Sequence, residues 1–176
     1  MFIFCSISIL FAVMLLAVPA VGSFLVRRGR ITAPQLTRSR LGAAVIGVPV
    51  LCWCAAEGAL MLPPAFTPWV WAAVPVTAAA CLLLLDFNAV RAFSGGAALL
   101  ANFLIQHSFA CGCALRGLFC SVVLVFGLAA TALIAWPWLL RDALDWIAAH
   151  PQHDRAIWGG GLLCAAAIIM LPLFGG

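Results

Sequence analysis

The chain has no lysine and no tyrosine, and its 176 residues include only nine arginines and five acidic side chains. With 8% charged residues, 66% hydrophobic residues and a mean hydropathy of +1.21, a soluble domain of this length could not cover its surface with polar groups. A water-exposed globule is therefore excluded, and the chain is expected in a bilayer. Motifs of catalysis are missing as well. There is no HExxH, GxSxG or P-loop, no paired-Glu pattern of an intramembrane protease, and no Asp-rich pattern of an alcohol phosphotransferase. No catalytic residue is assigned, and a non-enzymatic protein is expected.

Redox and metal chemistry lack their spacings too. The eight cysteines include two CxC pairs, in "CWC" (Cys52, Cys54) and "CGC" (Cys111, Cys113), but no CxxC. On a helix, positions i and i+2 diverge by about 200°, so neither pair converges on one ion while helical, and buried cysteine as a small apolar side chain is the expected role. Gly112 could open the helix locally, which leaves Cys111 and Cys113 the less settled pair. His150 and His153 stand near Asp142, Asp145 and Asp154, but Pro151 lies between them and no cysteine is close in sequence. His107 is the one histidine within an apolar run, so a bis-histidine haem has no second ligand in this chain. No metal or cofactor is expected. The net charge of +4 does not indicate nucleic acid, because five of the nine arginines crowd into one short loop between two apolar runs.

What is present is a series of apolar runs, at about 2–26, 41–62, 69–88, 97–115, 118–140 and 157–174. Each approaches the roughly 20 residues that cross a bilayer as a helix. The predicted fold is all-α: a single polytopic transmembrane helix bundle of six spans. The first run is uncharged and is followed, not preceded, by Arg27, Arg28 and Arg30, so it reads as a retained span rather than a secretory signal. By the positive-inside rule the loop "RRGRITAPQLTRSR" is cytoplasmic and the N-terminus outside, in the plasma (inner) membrane if the source is bacterial. The turn "PPAFTP" ends the second run, since proline cannot continue a helix. Trp69 and Trp71 then open the third at the depth indoles prefer. The segment "RDALDWIAAHPQHDR" reads as a short surface helix ended by Pro151.

The segment 97–116 leaves two topologies open. On a helix, Asn102, Gln106, Phe109, Cys113 and Arg116 form one largely polar stripe against a Leu, Ala, Ile and Phe face. If the segment crosses, there are six spans, and eight of the nine arginines fall on the cytoplasmic side. If it is interfacial or re-entrant, there are five spans, with seven. The length of the segment favours six. The Gly95-Gly96 pair is expected to form the turn into it.

The candidate intramembrane polar residues are Glu57, Asp86, Arg91, Asn102, Gln106, His107 and Arg116, because an ionisable group at membrane depth is either functional or an interface anchor. Asp86 and Arg91 stand five apart, about 140° round a helix, and so each needs a partner elsewhere. With six spans Arg116 is placed to answer Glu57; with five, Asp86. Small residues four apart (Ala43 and Gly47, Ala55 and Ala59, Cys113 and Gly117, Gly161 and Ala165) point to close helix packing, and Pro49, Pro75, Pro137 and Pro172 to bends or helix ends. Two functions fit. One is a membrane subunit, scaffold or assembly component whose partners are the bilayer, further copies of itself or other membrane subunits. The other is an oligomeric carrier or channel with Glu57, Asp86, Asn102, Gln106 and Arg116 lining a polar path. With so few polar groups for about 30 Å of hydrocarbon, the first is expected.

Overall fold

The computed structural model describes residues 7–13, 16, 24, 28, 32, 35, 37–86, 88–110, 115–150 and 154–170, with the backbone alone at 148 and 154–158. Every regular element among them is helical. Helix α1 spans Arg40–Met61, and the Ser39 hydroxyl caps it by accepting from the Gly42 amide at 3.1 Å. It stops at Leu62, in extended backbone before Pro63, where the following proline disfavours helix. A 3-10 turn at Pro64–Phe66 leads into α2, Thr67–Leu84, which carries Pro68 in its first turn, where no amide donor is required. Helix α3 spans Asn88–Ala110, α4 Arg116–Ala135, α5 Trp138–Ala149 and α6 Asp154–Met170.

Among the described residues, four segments are long and apolar enough to cross a membrane: Arg40–Met61, Pro64–Leu84, Asn88–Ala110 and Arg116–Ala135. The apolar part of α6, Gly159–Met170, is shorter. Six crossings were expected. Most of the first run lies outside the described residues, although 7–13 is helical. The run 118–140 is divided, because α4 ends at Ala135 and Pro137 caps the amphipathic α5. That helix buries Leu144 and exposes Asp142 and Asp145, as a surface helix should. The CxC pair at Cys111 and Cys113, and His153, also lie outside the described residues.

The turn before α3 is the main correction. It falls at Leu85 and Asp86, not at Gly95-Gly96, and Leu85 takes extended φ and ψ of −97° and 143°. The glycine pair sits inside α3, facing a neighbour: a Cβ on Gly95 would lie 3.6 Å from Val50 Cγ1, and Gly96 is buried. These glycines serve close approach rather than chain reversal. The third and fourth runs therefore divide at 84 and 88 instead of 88 and 97.

Helix α3 is the most buried of the four, and its largest interfaces are with α4 and then α1; α2 packs on the outside of α1. Small residues set the register. Gly42 lies against Ala89, Gly47 against Ala92 and Gly95 against Val50, so α1 and α3 run parallel. Gly127 lies against Ala101, and Ser108 Oγ is 3.1 Å from Cys120 Sγ, so α3 and α4 run antiparallel. Around these contacts Phe11, Leu100, Leu104, Phe119, Val123 and Ile168 form the core. Lipid tails are as apolar as leucine, so within a bilayer this packing, not the hydrophobic effect, holds helix to helix.

Candidate functional site

The helix directions sort the polar residues to two ends. Arg40 and Asp86 stand at the end where α1 and α3 begin and α4 finishes, and Arg141 follows there in α5. Arg116 opens α4 at the opposite end. Twenty residues of α4 separate Arg116 from Trp136, about 30 Å at the α-helical rise, which is the thickness of a hydrocarbon core. Exposed tryptophans mark both ends: Trp69 and Trp71 at one, Trp136, Trp138 and Trp146 at the other. This is the disposition of interfacial indoles.

Arg116 answers neither acid. Its guanidinium carbon stands 4.9 Å from the centre of the Phe109 ring, a cation–π contact. Glu57 accepts from Trp53 Nε1 at 3.1 Å, one helical turn away. Asp86 is exposed in the turn between α2 and α3 and makes no ion pair among the described residues. The expected Glu57–Arg116 and Asp86–Arg116 pairs are both absent. An indole one turn away bonds Glu57 and the Phe109 ring at the end of α3 receives Arg116, which spacing between distant runs could not reveal. His107 is exposed, stacks on Phe103 at 3.7 Å between ring centres, and places Nδ1 3.0 Å from the Phe103 carbonyl oxygen. It turns back onto its own helix instead of facing a cavity.

Of the remaining candidates, Arg91 and Asn102 line a groove and Gln106 does not. Extending α3 back to Asn88 brings Asn88, Arg91, Gly95, Ala98 and Asn102 onto one face, at intervals of three and four residues. That face closes a half-open groove of about 510 Å³ between α1, α2 and α3. Its other walls are apolar and small, with Ala43, Gly47 and Leu51 from α1 and Ala78, Cys81 and Leu82 from α2. At its upper end, Asn102 Oδ1 faces Gln106 Nε2 at 3.5 Å. At its lower end are Asn88 and Arg91. Asn88 is 8% exposed and its Oδ1 has no hydrogen-bond partner; Arg91 Nε is buried and also unpartnered. Asn88 was not among the expected site residues. The signal that could have found it is the 88, 91, 95, 102 spacing, which becomes visible only once Gly95-Gly96 is read as helix.

Ser94, on the same turn of α3 but outside the groove lining, is fully buried with an unpartnered hydroxyl. By contrast, Ser108 donates to the Ile105 carbonyl at 2.7 Å. A buried hydroxyl without a partner carries a desolvation penalty that an isosteric apolar group avoids. Ser94→Ala is therefore expected to leave thermal stability unchanged or raise it, by up to about 1 kcal/mol. A loss of similar size in a detergent melt would mean that the hydroxyl has a partner after all.

Among the described residues, then, two end zones of arginine and tryptophan flank a lateral groove, apolar along its length and with Arg91 at one mouth. No protein-family model matches the chain, and neither does any curated protein or solved structure.

Proposed function

We propose that the chain is a multi-pass, six-span integral membrane protein working as a non-enzymatic subunit, scaffold or assembly component. The fifth and sixth crossings would come from the N-terminal run and α6. Leu16 lies beside Gly161, where an added Cβ would stand 3.1 Å from Leu16 Cδ2, and Phe11 and Ala12 join Ala165 and Ile168 in the core, which suits two antiparallel neighbours. The end bearing Arg38, Arg40, Arg91 and Arg141 would face the cytoplasm, by the positive-inside rule, and Arg116 the outside. In a bacterial cell that membrane is the inner one.

One observation carries the preference for a subunit over a carrier. Of the five residues a polar route would need, Asn102 alone lines the groove. Asp86 and Arg116 stand at opposite ends, Glu57 is bonded to Trp53, and Gln106 faces Asn102. Moving an ion or a polar solute through about 30 Å of hydrocarbon requires replacing its hydration shell along the way, and isolated groups at the two interfaces cannot do that. Purification in intact native-lipid discs tests the proposal: defined membrane chains should co-purify in fixed ratio. If the chain emerges as a lone oligomer that passes solute in liposomes, the subunit reading fails.

A further inference from the structure

We propose that the groove between α1, α2 and α3 holds one anionic glycerophospholipid, its phosphate at Arg91 and the first turn of α3 and an acyl chain along the small-residue walls. The inference rests on the membrane reading above and adds a ligand to it.

Charge complementarity chooses the occupant. Arg91 lines the groove with a buried Nε and makes no hydrogen bond or ion pair among the described residues. It lies three residues into α3, about 4.5 Å along the axis, so it sits at headgroup depth rather than mid-membrane. An arginine at that depth, half-buried and with Nε closed off and unpartnered, favours an anion at its remaining donors. The same mouth holds the amino-terminal amides of α3, whose first turn contains no acidic residue to neutralise them. Such amides carry partial positive charge and favour a phosphate. Asn88 supplies the independent sign of a ligand. Its side chain lines the groove, is more than nine-tenths buried, and leaves Oδ1 without a donor. Rotation of the Asn88 amide brings this oxygen to a headgroup hydroxyl, which phosphatidylglycerol carries on its terminal glycerol. Exposed Arg40, at the same end, adds to the positive field, and exposed Asp86, two residues before Asn88, offsets part of it.

Size and polarity then favour a lipid over a partner helix. A 20-residue helix about 30 Å long and 10 Å across fills on the order of 2,000 Å³, several times the groove. The walls behind Arg91 offer alanine, glycine, leucine and cysteine side chains, which suit a methylene chain and leave its rotamers free. Basic pockets between membrane helices on the cytoplasmic side are where anionic headgroups bind.

The test is native mass spectrometry of the full chain in detergent, titrated with phosphatidylglycerol or with phosphatidylcholine bearing the same acyl chains. The expected result is one retained phosphatidylglycerol per chain, preferred over phosphatidylcholine by at least about fivefold, the effect of one arginine near an anionic surface. Arg91→Gln should bring the two lipids close to parity, whereas Arg91→Lys should keep most of the preference. Ala98→Phe, which fills the groove and leaves Arg91 in place, should lower binding of both lipids. Equal binding by the wild-type chain overturns the proposal. So does a preference that survives Arg91→Gln, or a second protein chain retained at Arg91 in place of lipid. Release of the chain from membranes by alkaline carbonate would instead defeat the membrane reading, so the two failures are distinct.

Discussion

Gly127→Leu is expected to destabilise the bundle by about 1–3 kcal/mol, the usual cost of overpacking, and by more than leucine at Gly47, Gly58, Gly95, Gly117 or Gly161. The reason is the identity of the neighbour. A Cβ at residue 127 would stand 3.2 Å from the Ala101 Cβ, which is fixed to the α3 backbone and cannot rotate away. Relief requires α3 and α4, the most extensively packed pair in the molecule, to move apart. At Gly161 the approach is closer, 3.1 Å, but the atom met is Leu16 Cδ2, the far end of a flexible side chain that can turn aside. At Gly47 the neighbour is Ala92 Cβ at 3.3 Å, so leucine there should rank second. Gly58 and Gly117 meet nothing within 4 Å and serve as controls, with leucine at either expected to change stability by no more than about 0.5 kcal/mol. Detergent unfolding followed by helical circular dichroism would rank the series. Equal effects at Gly127 and Gly58 would show that α3 and α4 are not packed at this register.

The glycines also explain how much was legible in the sequence. Composition was enough for the class, because no soluble fold accommodates so little charge in so apolar a chain. The Pro-rich turn at 63–68 was legible because proline acts locally, through its own ring and on the residue before it. The Gly95-Gly96 pair misled for a related reason. Glycine permits a turn and equally permits close helix contact, and only the presence of α1 decides between them. Reading a turn there separated Arg91 from Asn102 and hid the face they share with Asn88. The amphipathic stripe from Asn102 to Gln106 was visible, but its extension toward Arg91 was not. The partners of Arg116 and Glu57 were illegible because each is satisfied nearby by an aromatic ring or an indole, a choice that pairing charges by topology does not consider. Small-residue spacing correctly marked Gly47 and Gly161 as contact positions, whereas Gly117 faces open space. Spacing alone does not say which side of a helix has a neighbour.

Among the described residues, the groove gives two of the three unsatisfied buried polar groups, Asn88 and Arg91, a common location, while Ser94 lies outside it. Asn88 and Arg91 would each be a liability in a bundle that existed only to pack, since an apolar residue of similar shape would avoid their desolvation. Their position at the mouth, with an alanine- and glycine-lined channel behind them, makes them the headgroup end of a site for an amphiphile. A lipid held there would touch α1, α2 and α3 together, and would bind α2 to the bundle, which α2 otherwise joins chiefly through α1.

The central claim is that α3 crosses the membrane, beginning at Asn88 on the cytoplasmic side, and the most direct measurement of it is two-sided cysteine labelling. In a chain whose eight native cysteines are replaced, single cysteines are introduced as Asp86→Cys and Arg116→Cys, both at exposed positions flanking α3. A membrane-impermeant maleimide added to intact cells should label the cysteine at 116 and leave the one at 86 unmodified until the membrane is opened. Labelling of both positions from the same side would contradict the claim, because α3 would then lie along the membrane or fold back within it.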